Sequence, residues 1–209
     1  MLESLYHQKK ITMIKTMTRS AKIFVLAFSS FFFSQNVFAQ SYSLNNDTSF
    51  LEVHGTSSLH DWHVDAQQQM GTADINTSDA LEINALNFSV VSESLKSGKS
   101  GMDKNTYKAL KTDDYKTIDF KLTKVNTVDK LTDNSFKVSA VGDMTITGVT
   151  KAVPIDFTFK LQGNQLLVEG EKPLKMTDFG IDPPKALFGT IKTGDEINVV
   201  FKAVYQTKK

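Results

Sequence analysis

Nearly every segment of this chain beyond residue 50 alternates apolar and polar side chains with period two, and that pattern restricts the possible folds more than any other feature. Leu51 and Val53, then Trp62, Val64 and Ala66, then Leu86, Phe88 and Val90, then Ile118, Phe120 and Leu122 each share one face of an extended run. The alternation recurs in Phe136, Val138 and Ala140; in Met144 and Ile146 leading toward Val153, Ile155, Phe157 and Phe159; in Leu166 and Val168; and in Ile197, Val199, Phe201, Ala203 and Tyr205. Gly71, Asp133-Asn134, Gly148, Gly163-Asn164, Gly170 and Thr193-Gly194-Asp195 supply turn chemistry between the runs. The pattern predicts an all-β, antiparallel domain of about eight strands. Such strands stack as a sandwich or close into a barrel, because an open sheet leaves edges free to pair with other chains. Short gaps between runs favour up-and-down connections.

Two stretches break the rhythm. Asp103 to Tyr115 (DKNTYKALKTDDY) spaces its apolar residues with a helical period and predicts a short helix between two strands. Met176 to Thr190 (MTDFGIDPPKALFGT) contains Pro183 and Pro184, which remove two ladder donors, so a loop or helical turn is expected there.

The first 39 residues read as an address. Lys9, Lys10, Lys15, Arg19 and Lys22 precede an eleven-residue, mostly apolar run from Ile23 to Phe33, and Val37-Phe38-Ala39 has the small residues that a signal peptidase requires. A signal peptide over 1–39, cleaved after Ala39, is the expectation, placing the protein in the periplasm or outside the cell. No transmembrane anchor is expected after cleavage, since the run falls short of the roughly 20 apolar residues that a span needs. Residues 40–209 then form one domain carrying 19 basic and 22 acidic side chains. That balance excludes a basic stripe for displacing counterions from phosphates, so no nucleic acid is expected as partner. With no cysteine, an exported domain of this length rests on its core alone.

Catalytic signatures are missing. The chain has no Cys nucleophile, no nucleophile elbow, no phosphate-binding glycine loop and no HExxH helix, and no enzymatic activity is expected. Glu169 and Glu171 share a face of one run, as a solvated surface or as a carboxylate pair. His54, His60 and His63 lie within ten residues in HGTSSLHDWHVD and raise the question of a metal site. On a strand, however, ligands recur at i and i+2, and residues three apart point to opposite faces. A tight hairpin across Gly55 to Ser58 would set His54 opposite His63, which supplies two ligands rather than a closed set. No metal and no cofactor is therefore assigned. Lys96, Lys99, Lys104, Lys108, Lys111 and Lys116 form either a collar for an anionic head group or an ordinary soluble surface.

Four pieces in order resemble the YceI-like family: GTSSLHDW from Gly55 to Trp62; Met102-Asp103 through Ala109-Leu110-Lys111 to Ile118-Asp119-Phe120; GDMTITGVTK from Gly142 to Lys151; and KTGDEI from Lys192 to Ile197. The likeness covers about Tyr42 to Tyr205. It implies a lipocalin-like antiparallel β-barrel of about eight strands with one short helix, whose lumen holds a long apolar chain such as a polyisoprenoid, an isoprenoid quinone or a fatty-acid derivative. Where the better-known branch of the family carries a histidine, Met102-Asp103-Lys104 and Tyr107 stand here, and Tyr107 and nearby lysines are expected to meet the polar end of such a ligand. Combined with the alternation, the expected lumen wall comprises Phe88, Val90, Leu110, Phe120, Leu122, Phe136, Val138 and Met144, continuing through Ile146, Phe157, Phe159, Met176, Phe179, Phe188 and Phe201. A structural or interaction barrel with a filled core is the alternative, and the pattern leaves room for a homodimer.

Overall fold

Each alternating run has one apolar row to bury, and antiparallel pairing gathers those rows onto a common face. The computed structural model describes residues 40–77 and 80–207. The expected signal peptide lies outside them. Eight strands form a closed ring: β1 (Gln40–Leu44), β4 (Gln69–Asn76), β5 (Glu82–Val91), β7 (Thr117–Thr132), β8 (Ser135–Ile146), β9 (Val149–Gln162), β10 (Gln165–Lys175) and β12 (Ile191–Thr207). Every neighbouring pair is antiparallel, and β12 returns to β1 with Tyr205 opposite Leu44 and Thr207 opposite Tyr42. The eight-stranded closed barrel of the resemblance is what the chain forms.

Three further strands, β2 (Phe50–Ser57), β3 (Trp62–Ala66) and β6 (Leu95–Lys96), branch from β12 in that order. β12 shares one edge between two partners, its last residues pairing with β1 and Thr193 to Lys202 pairing with β2. The branch adds strands to the circumference at one end, and a barrel widens as its strand number rises. Among the described residues a single α-helix, α1 (Ser100–Leu110), lies at that end, between β6 and β7.

The ladder also opens on the other side of the helix end. β9 and β10 pair only as far as Phe157 with Gly170, leaving the earlier part of β9 paired to β8 alone. Pro154 sits in that stretch, where the donor it lacks has no strand to serve. The gap is bridged by a 3-10 turn, Met176–Phe179, whose Phe179 carbonyl accepts a 2.5 Å hydrogen bond from the buried Thr147 hydroxyl.

Several local expectations are corrected. Met144 and Ile146 do not lead into the Val153 run. They end β8, and Thr147 and Gly148, both at positive φ (49° and 77°), turn the chain directly into β9. Positive φ at both positions is the primed hairpin geometry whose twist suits flanking strands. Thr193-Gly194-Asp195 is a register shift inside β12 rather than a turn. Gly71 and Gly170 lie within strands, where the space a Cβ would take is occupied, by the Asn87 carbonyl with the Tyr205 ring behind it at Gly71 and by the Phe201 ring at Gly170. The helix starts three residues earlier than expected and stops at Leu110, because Lys111 adopts the left-handed conformation and Thr112 N–H bonds back to the Tyr107 carbonyl.

Two apolar clusters divide the interior. Away from the helix, Val138, Phe157, Phe159, Leu166, Tyr205 and Ile75 close the lumen completely, with Leu122, Phe136 and Phe201 packed against them. Toward the helix, Val64, Val90, Leu95, Leu110, Ile146 and Met176 form a second cluster, and Phe88 packs against both. All members of both clusters belong to Ala39–Lys209, which is a compact unit by itself. The barrel is therefore expected to fold without the residues before it. Phe159→Ala, at a wholly buried ring, is expected to lower unfolding free energy by about 3–5 kcal/mol in urea titrations. Phe188→Ala, at a fully exposed ring, is expected to stay within about 0.5 kcal/mol of the parent.

Candidate functional site

The helix end is hollow. A cavity of about 480 Å³ occupies it. Its wall is built by the inward phase of the alternation: Leu51 and Val53 from β2, Trp62 and Val64 from β3, Phe88 and Val90 from β5, Ile118 and Phe120 from β7, Met144 and Ile146 from β8, and Ile197 and Val199 from β12. Leu95, Leu174, Met176 and Ile181 complete it. Helix α1 covers one side with Met102, Thr106, Ala109 and Leu110, whose spacing puts them on a single helical face. Lining residues that are also exposed (Leu59, His60, Lys99, Gly101, Asn105 and Lys185) mark the mouth. The polar member Asp119 is already engaged, accepting from the Ser89 hydroxyl at 2.6 Å and the Thr117 hydroxyl at 2.8 Å.

Two aromatic wall residues are seated on glycines. Trp62 lies over its cross-strand partner Gly55, where a Cβ would come within 2.2 Å of the indole, and its Nε1 donates to the Thr56 carbonyl at 2.9 Å. Phe120 lies over Gly142 in the same way, again at 2.2 Å. Only glycine permits such an approach, so both rings are held against the wall instead of filling the space.

The helix is held by side chains rather than by a ladder. Asp103 accepts from both the Ser97 N–H at 2.8 Å and the Ser97 hydroxyl at 2.6 Å. Those two bonds hold its carboxyl below the ordinary carboxylate value. At the other end Thr112 is buried and its hydroxyl donates to Glu93 at 2.9 Å. Asp195 plays a matching part for the Met176–Phe179 turn, accepting from the N–H and hydroxyl of Thr177, and its carboxyl is likewise held low.

Among the residues expected to form the wall, Phe88, Val90, Leu110, Phe120, Met144, Ile146 and Met176 line the cavity. The others are placed elsewhere. Val138, Phe157 and Phe159 belong to the closed half with Leu122, Phe136 and Phe201 around them, since their strands carry the inward phase past the cavity floor. Phe179 is buried in the helix-end cluster without reaching the cavity, and Phe188 stands outside in solvent. Tyr107 turns away from the lumen. Its hydroxyl lies 2.9 Å from the Glu93 carbonyl and accepts from Lys96, so it fastens the helix instead of meeting a ligand. Of the lysine collar, Lys99 alone lines the cavity. The expected wall omits Leu51, Val53, Val64, Ile118, Ile197 and Val199, although each sits in the same alternating phase as its neighbours and lines the space.

The histidines divide between two faces. His54 and His63 are direct cross-strand partners with rings stacked 5.8 Å apart on the outside of the sheet, where His54 Nε2 lies 2.9 Å from the Glu52 carboxylate. His60 lies at the cavity mouth, its Nδ1 donating to the Asp61 carbonyl at 2.7 Å. Among the described residues no three metal-ligating side chains converge.

These features define a closed antiparallel barrel, filled at one end and hollow at the other, with one helix over the hollow end. The chain belongs to the YceI-like domain family, whose sequence profile matches residues 42–205. Solved structures share the fold. A polyisoprenoid binding domain from Saccharophagus degradans, implicated in plant cell wall breakdown, is 15% identical with a TM-score of 0.63, over 81% of this chain and 99% of that one. BcnA of Burkholderia cenocepacia is 14% identical with a TM-score of 0.62, over 77% and 98%. The Campylobacter jejuni YCEI protein is 17% identical with a TM-score of 0.52, over 68% and 82%. A comparison with curated proteins gives no match.

Because the carboxyl of Asp103 is depressed in the folded state, its contribution is present at neutral pH and is lost as pH falls below the unfolded value of 3.8 through the lower folded one. Asp103→Ala is expected to cost about 1 kcal/mol at pH 7 and to abolish that share of the acid sensitivity. Hydrogen exchange resolved to residues 97–110, compared at neutral and acid pH, reads both effects.

Proposed function

We propose that this barrel is an exported binding protein that carries one long apolar molecule, such as a polyisoprenoid, an isoprenoid quinone or a fatty-acid derivative, in its lumen. The observation that carries the reading is the cavity itself: a largely apolar space with aromatic walls seated on glycines and exposed residues at its rim. A slender chain moving into such a space leaves water with a gain of about 25 cal/mol per Å² of apolar area, so a long hydrocarbon gains several kcal/mol without covalent chemistry. The protein acts by sequestration and delivery rather than by catalysis. The Saccharophagus degradans polyisoprenoid binding domain supports this choice of ligand class through its shared fold. The basic, apolar and small-residue sequence over residues 1–39 supports delivery to the periplasm or beyond.

Organic extraction of purified barrel followed by mass spectrometry is expected to release a long-chain lipid, and added isoprenoid quinone is expected to raise the melting temperature. Ala109 faces the cavity from α1. Ala109→Trp, which puts an indole into that space, is expected to keep the fold by circular dichroism and to lose the lipid and the ligand-induced shift. Absence of lipid from the parent, with no shift on adding isoprenoids, would remove this reading.

A further inference from the structure

Phe188 is the most exposed large apolar side chain among the described residues, and Leu59, at 66% exposure, is the second. Leu59 stands at the cavity mouth, and Phe188 sits on a hairpin whose other residues reach that mouth. Leu59 is itself a lining residue, at the tip of the hairpin that joins β2 to β3. Phe188 caps a second hairpin, in which β11 (Lys185–Ala186) pairs with the start of β12, and the flanking Lys185 and Ile191 line the cavity. The two tips are tied together: Ser58 N–H donates to the Lys192 carbonyl at 2.9 Å, and Lys192 N–H donates to the Ser58 hydroxyl at 3.1 Å.

Phe188 adopts left-handed backbone angles, φ 55° and ψ 31°, with Gly189 beside it also at positive φ. A bulky residue in that region is under strain, which makes the outward ring a feature to be explained. Lys185 and Lys192 on the same hairpin and Lys99 at the mouth are all exposed, against Asp61 and Asp182 in the adjoining loops.

We infer that this rim docks on a lipid bilayer, with Phe188 and Leu59 inserted at the acyl boundary and Lys99, Lys185 and Lys192 among the phosphates, so that the lumen opens directly onto the membrane. This rests on the reading that the lumen takes a long apolar ligand. Two isolated apolar tips separated by polar backbone do not make the contiguous face of about 800 Å² that a stable protein partner needs. They do suit an interface into which single side chains dip while lysine stems extend to the head groups. Continuity with the lumen chooses the occupant: a ligand leaving through this mouth into water would expose its whole chain, whereas a seated rim hands it from one apolar phase to another.

The test uses the barrel of residues 40–209 and vesicles of phosphatidylethanolamine mixed with phosphatidylglycerol, carrying a long-chain isoprenoid quinone. The parent is expected to sediment with the vesicles, and the Phe188→Ser, Lys192→Gln double variant to lose at least about tenfold in partitioning and in the rate of quinone uptake from them. Both side chains are exposed and neither lines the cavity, so the melting temperature and the uptake of quinone added from ethanol should stay as in the parent. Equal sedimentation of parent and variant, or none by the parent, would overturn the inference. Loss of a dimer in the variant without any vesicle binding would overturn it in favour of self-association. If quinone enters by neither route, the proposed function fails, while sedimentation still judges docking separately.

Discussion

The structure depends on how β12 divides its edge. One side is committed to β10 along eleven residue pairs. The other serves β1 near the C-terminus and β2 nearer the helix. Where β1 is the partner, the ring is narrow, and side chains from opposite walls meet and fill it. Where β2 is the partner, β3 and β6 are inserted as well, and the same inward-facing rows no longer meet. One alternating pattern thus produces a solid half and a hollow half, and the register shift between Thr193 and Ile197 bends β12 at the wide end.

This division explains what is readable in the sequence. Period-two alternation assigns each side chain to the inside or the outside, and those assignments hold for Phe120 and Leu122 alike. It carries no information on height along the barrel axis. Phe120 reaches the cavity while Leu122, two residues and roughly 7 Å further along the strand, joins the closed core. Phe136, Phe157, Phe159 and Phe201 are legible as inward for the same reason and illegible as core. Height depends on which strands pair at each level, and those pairings join residues far apart in sequence. Glycines mislead in a related way: Gly71 and Gly170 have the composition of turns, but atoms of another strand need the space above each, the Asn87 carbonyl at Gly71 and the Phe201 ring at Gly170. Tyr107 is misplaced by sequence alone because helical spacing defines a face without saying which face meets the barrel.

The hollow end is also held differently from the solid one. Its helix and its 3-10 turn are secured by carboxylates bonded to backbone and hydroxyl groups, at Asp103 and Asp195, instead of by continuous ladders. Few, exposed polar contacts are characteristic of the parts of a protein that open locally before the rest unfolds. The end through which the proposed ligand would pass is therefore the end with the weaker fastenings, while the aromatic half keeps the ring closed.

Ring closure has a consequence in time as well as in space. The pairs that close the ring, Leu44 with Tyr205 and Tyr42 with Thr207, join the first and last described strands. A chain emerging from the ribosome cannot make them until β12 has appeared, and until then β1, β10 and β2 each wait with an edge that only β12 fills. Contacts of such long sequence separation form slowly, and unpaired edges are open to wrong partners meanwhile. This topology makes closure of the ring wait for the seventeen-residue β12.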